Sequence, residues 1–276
     1  MFSRLQIYAE LLKEEPMWFP VYILYLAVTI LISLILHECA HGYVALRCGD
    51  PTAKMLGRLS LDPRKHLDPI GTASMILIGF GWAKPVPVNP RNFRNYRRDD
   101  LLVSVAGICV NLLLFFFCSA LSVALNGLIW EREIIQYVKM QDGSLQLLLN
   151  PYYESPNGVN FYLASYLASP HSPASLCAYA SRPWLLYIQK FLLMMASTNL
   201  GLAVFNLLPI PPLDGYHVVN DIFLKGSLQL NRQVFQIAQI ALIVALLSGL
   251  LNGLLLFLVG GAYTGIVRLW LMIAGA

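Results

Sequence analysis

The sequence predicts an all-α polytopic membrane protein: a helical bundle of about four to five transmembrane helices, with a re-entrant or extended segment. Three observations predict it. The 276 residues are 57% hydrophobic and 12% charged, whereas a soluble domain carries about 25% charged residues. Several apolar stretches are long enough to cross a hydrocarbon core as helices. The first of them runs directly into His37-Glu38-Cys39-Ala40-His41, an H-E-x-x-H pattern.

Residues 1–16 read as an interfacial helix. Phe2, Leu5, Ala9 and Leu12 fall near helical spacing, and Pro16 stops the run. No small-residue cleavage site follows a short apolar core, so the segment is expected to be retained. Residues 17–36 carry no charge and form the first span. The 47–100 stretch is rich in Gly, Pro and Arg, with one apolar patch at 69–82. That patch is too short to cross simply and reads as re-entrant. Pro85, Pro87 and Pro90 then favour extended backbone.

A second span covers 101–129, and a third covers 184–208. Between them, 131–183 reads as a long non-cytoplasmic connection of weak periodicity. A Pro-rich break and a more polar stretch, 216–233, follow the third span. The final 43 residues, from Val234, are nearly all apolar and suggest two spans with a turn near Asn252-Gly253. One steeply tilted span is the alternative. Residues 1–276 thus read as a single membrane-embedded domain, and no internal repeat supports a repeat-built transporter.

Charge sets the expected orientation. Ten of the nineteen basic residues fall between Arg47 and Arg98, which reads as a cytoplasmic loop under the positive-inside rule and not as a nucleic-acid surface. The first span then carries His37 and His41 toward the cytoplasm. The third span delivers residues 209–215 to the same side. Cys39, Cys48, Cys109, Cys118 and Cys177 are odd in number and scattered, so no disulfide framework is implied.

The motif carries the chemistry. A helix advances about 100° per residue, so positions i and i+4 share a face one turn apart. Two imidazoles placed that way can hold one zinc ion, and the intervening Glu38 lies close enough to act as a base. Polar groups at membrane depth are costly unless paired, metal-bound or wet. The combination points to hydrolysis within a membrane.

A catalytic zinc site keeps three protein ligands and one open position. Asp214 is the leading candidate for the third. It follows Pro209, Pro211 and Pro212 and precedes Gly215, and irregular backbone at membrane depth is tolerated only where it is buried or lines a cavity. A turn or helix cap is the competing reading of Asp214-Gly215. Spacing does not choose between them.

Three stretches then carry a resemblance: HECAHGYVALRCGDPTAKMLGRLSLDPRKHLDPIGT, GFGWAKPVPVNPRNF and NLGLAVFNLLPIPPLDGYH. The chain resembles the site-2 protease family of intramembrane zinc metalloproteases, in its compact prokaryotic branch without a PDZ domain. The resemblance implies that His37, His41 and Asp214 bind one zinc per chain and that Glu38 is the general base. It implies that Asn111, in a Gly-x-x-x-Asn pattern from Gly107, positions substrate or stabilises the oxyanion. It also places Asn206 near the site, within the Asn/Pro/Asp-Gly motif. His217, three residues past Asp214, is close enough to stand beside the ligands. Ile108 occupies a position where the family usually has proline, and the 131–183 connection is longer than the compact branch usually has.

Six further residues have structural readings. His66 suits a loop hydrogen bond, Asn199 an interhelical one, and His171 solvent. Trp82, Trp130 and Trp184 read as interfacial anchors.

The expected activity is regulated intramembrane proteolysis by a zinc-dependent metalloendopeptidase. Its substrate would be a transmembrane segment, from a single-span protein, in the lipid bilayer. The expected location is multi-pass in a prokaryotic inner or plasma membrane, with the active site toward the cytoplasm. A metal transporter using the same ligands is a different class of reading, but transport has no need for a base beside the first histidine. An inactive homologue serving as a membrane scaffold is another, and the complete His/Glu/His/Asp set counts against it.

Overall fold

The computed structural model describes residues 4–14, 16–77, 81–142, 145–152, 180–228 and 230–275. Its named elements are all helical: α1 (Arg4–Glu14), α2 (Phe19–Cys48), α3 (Thr52–Met55), α4 (Pro69–Leu77), α5 (Tyr96–Ile129), α6 (Arg132–Asp142), α7 (Gln146–Leu149), α8 (Pro183–Asn206), α9 (Asp214–Ile222), α10 (Arg232–Leu247) and α11 (Asn252–Ile273). Four of them, α2, α5, α8 and α11, are long and apolar enough to cross a membrane. Helix α10, at 16 residues, is a shorter apolar helix. The chain is therefore a multi-pass membrane protein.

Local chemistry sets the helix ends. Helix α2 continues through the H-E-x-x-H residues to Cys48. It stops at Gly49, whose φ of 112° suits a residue without Cβ. Helix α5 opens on a reciprocal cap. Asn95 Oδ1 accepts from Arg98 N at 3.3 Å, and Asp99 Oδ2 accepts from Asn95 N at 2.8 Å. Asn231 caps α10 by accepting from Val234 N at 2.8 Å. The last apolar stretch breaks at Ser248–Leu251, with Gly249 at φ 77°, slightly before the expected Asn252-Gly253 turn. Two helices result, of which only α11 reaches spanning length.

The chain divides into two compact units. One contains residues 1–29, 114–198 and 256–276. Polar side chains at membrane depth are engaged within it. Trp270 Nε1 donates to Ser119 Oγ at 3.0 Å, Gln189 Nε2 donates to the Ser122 carbonyl at 3.2 Å, and Asn150 Nδ2 donates to Thr264 Oγ1 at 2.9 Å. Lys190 Nζ sits 5.0 Å over the Trp18 ring, a cation–π contact that accommodates a charge among apolar helices.

Two expectations fail in this unit. Trp130 is only 6% exposed and bridges Ala180, so it is a packed residue and not an interfacial anchor. Trp82 in the other unit and Trp184 in this one are exposed. The 131–183 connection also begins with helix α6, whose Arg132, Glu133, Lys139 and Asp142 obscured its apolar face in the sequence. Its 153–179 portion, with His171 and Cys177, lies outside the described residues. The described cysteines Cys39, Cys48, Cys109 and Cys118 are free.

The other unit, residues 30–113 and 199–255, contains every candidate site residue. Asn199 Nδ2 donates to Ser33 Oγ at 2.9 Å, joining α8 to α2. Leu208 and Leu213, in the Pro-rich break, bury against Leu242 of α10, with Phe205, Ile210 and Leu246 around them. This apolar cluster anchors the loop that delivers Asp214.

Candidate metal centre

Helical spacing puts His37 and His41 on one face of α2, with their Nε2 atoms 3.0 Å apart. Asp214 opens α9, and its Oδ2 lies 3.4 Å from each of those nitrogens. These edges form a triangle. Tetrahedral zinc with ligands at 2.0–2.1 Å separates neighbouring donor atoms by roughly 3.3 Å, so the triangle has the dimensions of one zinc face. Among the described residues, this is the one group of three or more His, Cys, Asp or Glu side chains placed to share a metal ion.

The donors also suit a cation chemically. Asp214 Oδ2 is buried and makes no hydrogen bond, which is costly for a carboxylate that lacks a positive partner. Burial works to raise the Asp214 carboxyl, but the two imidazoles beside it outweigh that and hold it well below the usual carboxylate range. An ionised carboxylate is also the form that can hold a metal. Its position in the first turn of α9 also places it at the positive end of a helix dipole. Gly215 makes the approach possible: a Cβ there would meet the Leu207 carbonyl oxygen at 2.3 Å and that of Leu208 at 2.5 Å.

Helix α5 closes the centre from another side. Val103, Gly107 and Asn111 recur every four residues and so share a face. The Val103 carbonyl accepts from His41 Nδ1 at 2.8 Å. A Cβ on Gly107 would lie 2.5 Å from His37 Cε1 and 2.6 Å from His41 Nε2, so only glycine leaves the space between the rings open. Asn111 is fully buried, with Nδ2 3.2 Å from His37 Nδ1. It contacts the side of the ring opposite Nε2. That places it behind the ring, away from the nitrogen that faces Asp214.

Glu38 is held by backbone. Its Oε2 accepts from Val86 N at 2.7 Å, in the extended stretch between Pro85 and Pro87. Several loop residues brace that stretch. The buried Asp50 carboxylate accepts from Asn89 N and Asn92 Nδ2, both at 2.7 Å. Arg58 Nη2 donates to the Lys84 and Pro85 carbonyls. His66, fully buried, donates from Nε2 to the Ser60 carbonyl at 2.6 Å, and its own carbonyl accepts from Lys84 N. His66 thus makes the expected loop hydrogen bond. Gly42, next to His41, lets the stretch come close: a Cβ there would meet Val86 Cγ1 at 2.8 Å.

Asp50, Arg58, Asn89 and Val86 were not picked out from the sequence. All four lie in the stretches that carry the family resemblance, which is their available signal. Val86 contributes only an N–H, which no residue type announces.

The two remaining candidates stand further out. Asn206 is the half-buried last residue of α8 and makes no side-chain hydrogen bond to another described residue. His217 Nδ1 pairs with Asp100 Oδ2 at 2.9 Å, one turn along α9 from Asp214. That hydrogen bond raises the His217 imidazole against the effect of burial. Asp221, another turn along and 1% exposed, is pushed up to about 6 by burial and by the Asp100 carboxylate.

A helical membrane protein that assembles two histidines, an aspartate and a braced glutamate between its spans belongs to the metallohydrolase class. The Peptidase family M50 profile matches residues 25–249, covering the whole of this centre, and the chain belongs to that family. A relative from Bacillus subtilis (strain 168), "Putative zinc metalloprotease YwhC", is 35% identical over 202 residues, 73% of this chain and 70% of that one. No solved structure matches the chain. Family membership makes the protein an intramembrane zinc metallopeptidase, working in lipid on membrane-protein substrates.

Proposed function

We propose that the 276 residues act as one membrane-embedded metalloendopeptidase in which His37, His41 and Asp214 hold a single zinc ion and Glu38 is the general base. The donor triangle, with edges of 3.0, 3.4 and 3.4 Å, carries the reading. When bound, zinc supplies a Lewis acid that polarises a peptide carbonyl and lowers the pKa of water to about 7. Glu38 keeps Oε2 on the Val86 N–H, so its other oxygen takes the proton of the attacking water. The same carboxyl then delivers that proton to the leaving amine. Gly107 keeps the space between the rings clear, and Gly215 lets Asp214 reach it. Asn206, at the end of α8, and His217, on the Asp100 carboxylate, stand near the site as lining and support.

The substrate in this reading is a transmembrane segment of a single-span protein, cut in regulated intramembrane proteolysis. The centre faces the cytoplasmic side of the cell membrane, an orientation supported by the cluster of basic residues from Arg47 to Arg98. Two measurements test the proposal. Metal analysis of purified Asp214→Ala is expected to show lost zinc retention, and full occupancy would reject Asp214 as a ligand. Cysteines introduced within 91–98 are expected to label from the cytoplasmic face and those at exposed positions of α6, such as Arg132 and Lys139, from the opposite face. Labelling of both from one side would overturn the orientation.

A further inference from the structure

We infer that Asn111 is a positioning residue: its amide oxygen accepts a hydrogen bond from His37 Nδ1–H and so holds the tautomer that leaves Nε2 free for zinc. The inference rests on the proposal that His37 is a ligand. A neutral imidazole has one N–H and one bare nitrogen. If Nδ1 were bare and accepted from the Asn111 amide, Nε2 would carry the proton and could not bind a metal. Ligation through Nε2 therefore requires a proton on Nδ1 and an acceptor facing it.

Asn111 is the side chain at that position. It is fully buried, and its amide lies 3.2 Å from Nδ1. The two ends of a primary amide have nearly the same shape, so hydrogen bonding decides which end faces a neighbour. Asn111 Oδ1 has no partner where it points, and turning the amide half a revolution brings that oxygen to Nδ1. The proton on the ring nitrogen therefore decides which end of the amide faces it.

His41 shows the same logic already in place. Its Nδ1 lies 2.8 Å from the Val103 carbonyl, which can only accept, so in the neutral ring its Nε2 is bare. Val103 and Asn111 flank Gly107 at intervals of four on α5. One helix face thus supplies an acceptor for each ligand ring and an opening between them. Metal-ligating histidines commonly donate their second N–H in this way, and loss of the partner costs 10–100-fold in affinity or activity.

The test is zinc affinity of the full-length protein in detergent, by chelator competition at one fixed pH, for wild type, Asn111→Leu, Asn111→Asp and His37→Ala. Leucine keeps the branched shape but accepts nothing, and is expected to weaken zinc binding 10–100-fold. Aspartate keeps an acceptor and offers no amide donor, and is expected to bind within about threefold of wild type or tighter, on the same partner logic. Thermal unfolding of the metal-free proteins separates packing damage from ligand orientation, since a purely structural role would lower both variants together. Aspartate as weak as leucine would mean that Asn111 donates, and leucine at wild-type affinity would mean that it does nothing for the ring. Either result overturns the inference. Undiminished zinc in His37→Ala would instead remove the ligand reading beneath it.

Discussion

Val86 N–H donates to Glu38 Oε2 across 2.7 Å, and it is the one backbone donor in Pro85-Val86-Pro87 because proline has none. The carboxylate is thereby tied to main chain, which cannot swing away as a side chain can. Orienting a carboxylate this way reduces the reorganisation needed when the proton moves.

Glu38→Gln tests the role of that carboxylate. Glutamine retains an oxygen for the Val86 N–H and nearly the same volume, so the loop and the metal donors stay in place. Zinc content is expected to match wild type. Cleavage of a membrane substrate is expected to fall about 10²–10⁴-fold, the usual range for loss of a positioned acid–base group. A variant that still cleaves at the original rate would remove Glu38 from the chemistry.

Gly107→Ala gives an independent test of the centre. The added methyl would lie within 2.7 Å of atoms on both ligand rings, in the space a cation needs. Alanine favours helix over glycine by about 1 kcal/mol, so α5 should form at least as well. The expected result is a folded protein, by circular dichroism, with little bound zinc. Wild-type metal content would mean that the two rings do not share an ion across Gly107.

Legibility in the sequence divides along physical lines. His37, Glu38 and His41 were readable because helical periodicity alone sets their shared face. Asp214 was a candidate because the prolines before it break a span at membrane depth, yet spacing could not separate ligand from cap. The four long spans were legible from apolar length. The position of Asn111 was marked by the Gly-x-x-x-Asn pattern, but which atom it touches depends on the rotation of α5 against α2. Val86 was invisible because backbone donors leave no signature. Trp130 was misread because a buried and an interfacial tryptophan look alike until their neighbours are known.

The Asp100, His217 and Asp221 group makes stability depend on pH. Asp221 ordinarily titrates near 3.8 and in the folded chain near 6, so the folded state holds its proton more tightly. Its contribution is fully present below 3.8 and is lost as pH rises through 6. His217, raised by Asp100, acts in the same direction: its contribution is complete below 6.5 and fades above its folded value. Asp214 is ionised in both states above about pH 5, so it adds no slope there. Thermal unfolding of wild type is therefore expected to weaken more between pH 5 and pH 8 than that of Asp221→Asn. The difference should be on the order of 1 kcal/mol, since pH 5 lies about one unit below the folded value and one pKa unit is about 1.4 kcal/mol. Parallel pH profiles for the two proteins would show that Asp221 does not titrate as described.

The last prediction concerns the substrate. His37, Glu38, His41 and Asp214 sit among helices, so in the proposed reaction a peptide bond reaches them from a segment whose backbone is already paired within its own helix. Hydrocarbon offers no replacement for those hydrogen bonds, and each unsatisfied group costs several kcal/mol. A substrate span that unwinds easily near the cut should therefore be cleaved faster. Gly and Pro weaken a helix by about 1 and 3 kcal/mol relative to Ala, and Asn also favours turn conformations. Replacing such residues near the cleavage point with Leu is expected to slow cleavage while leaving capture by Glu38→Gln protein intact. Direction and site of action separate in that comparison, because capture reports docking of the span and cleavage reports its opening. Equal rates for both substrates, or equally fast cleavage of soluble peptides, would mean that helix opening is not part of the reaction path.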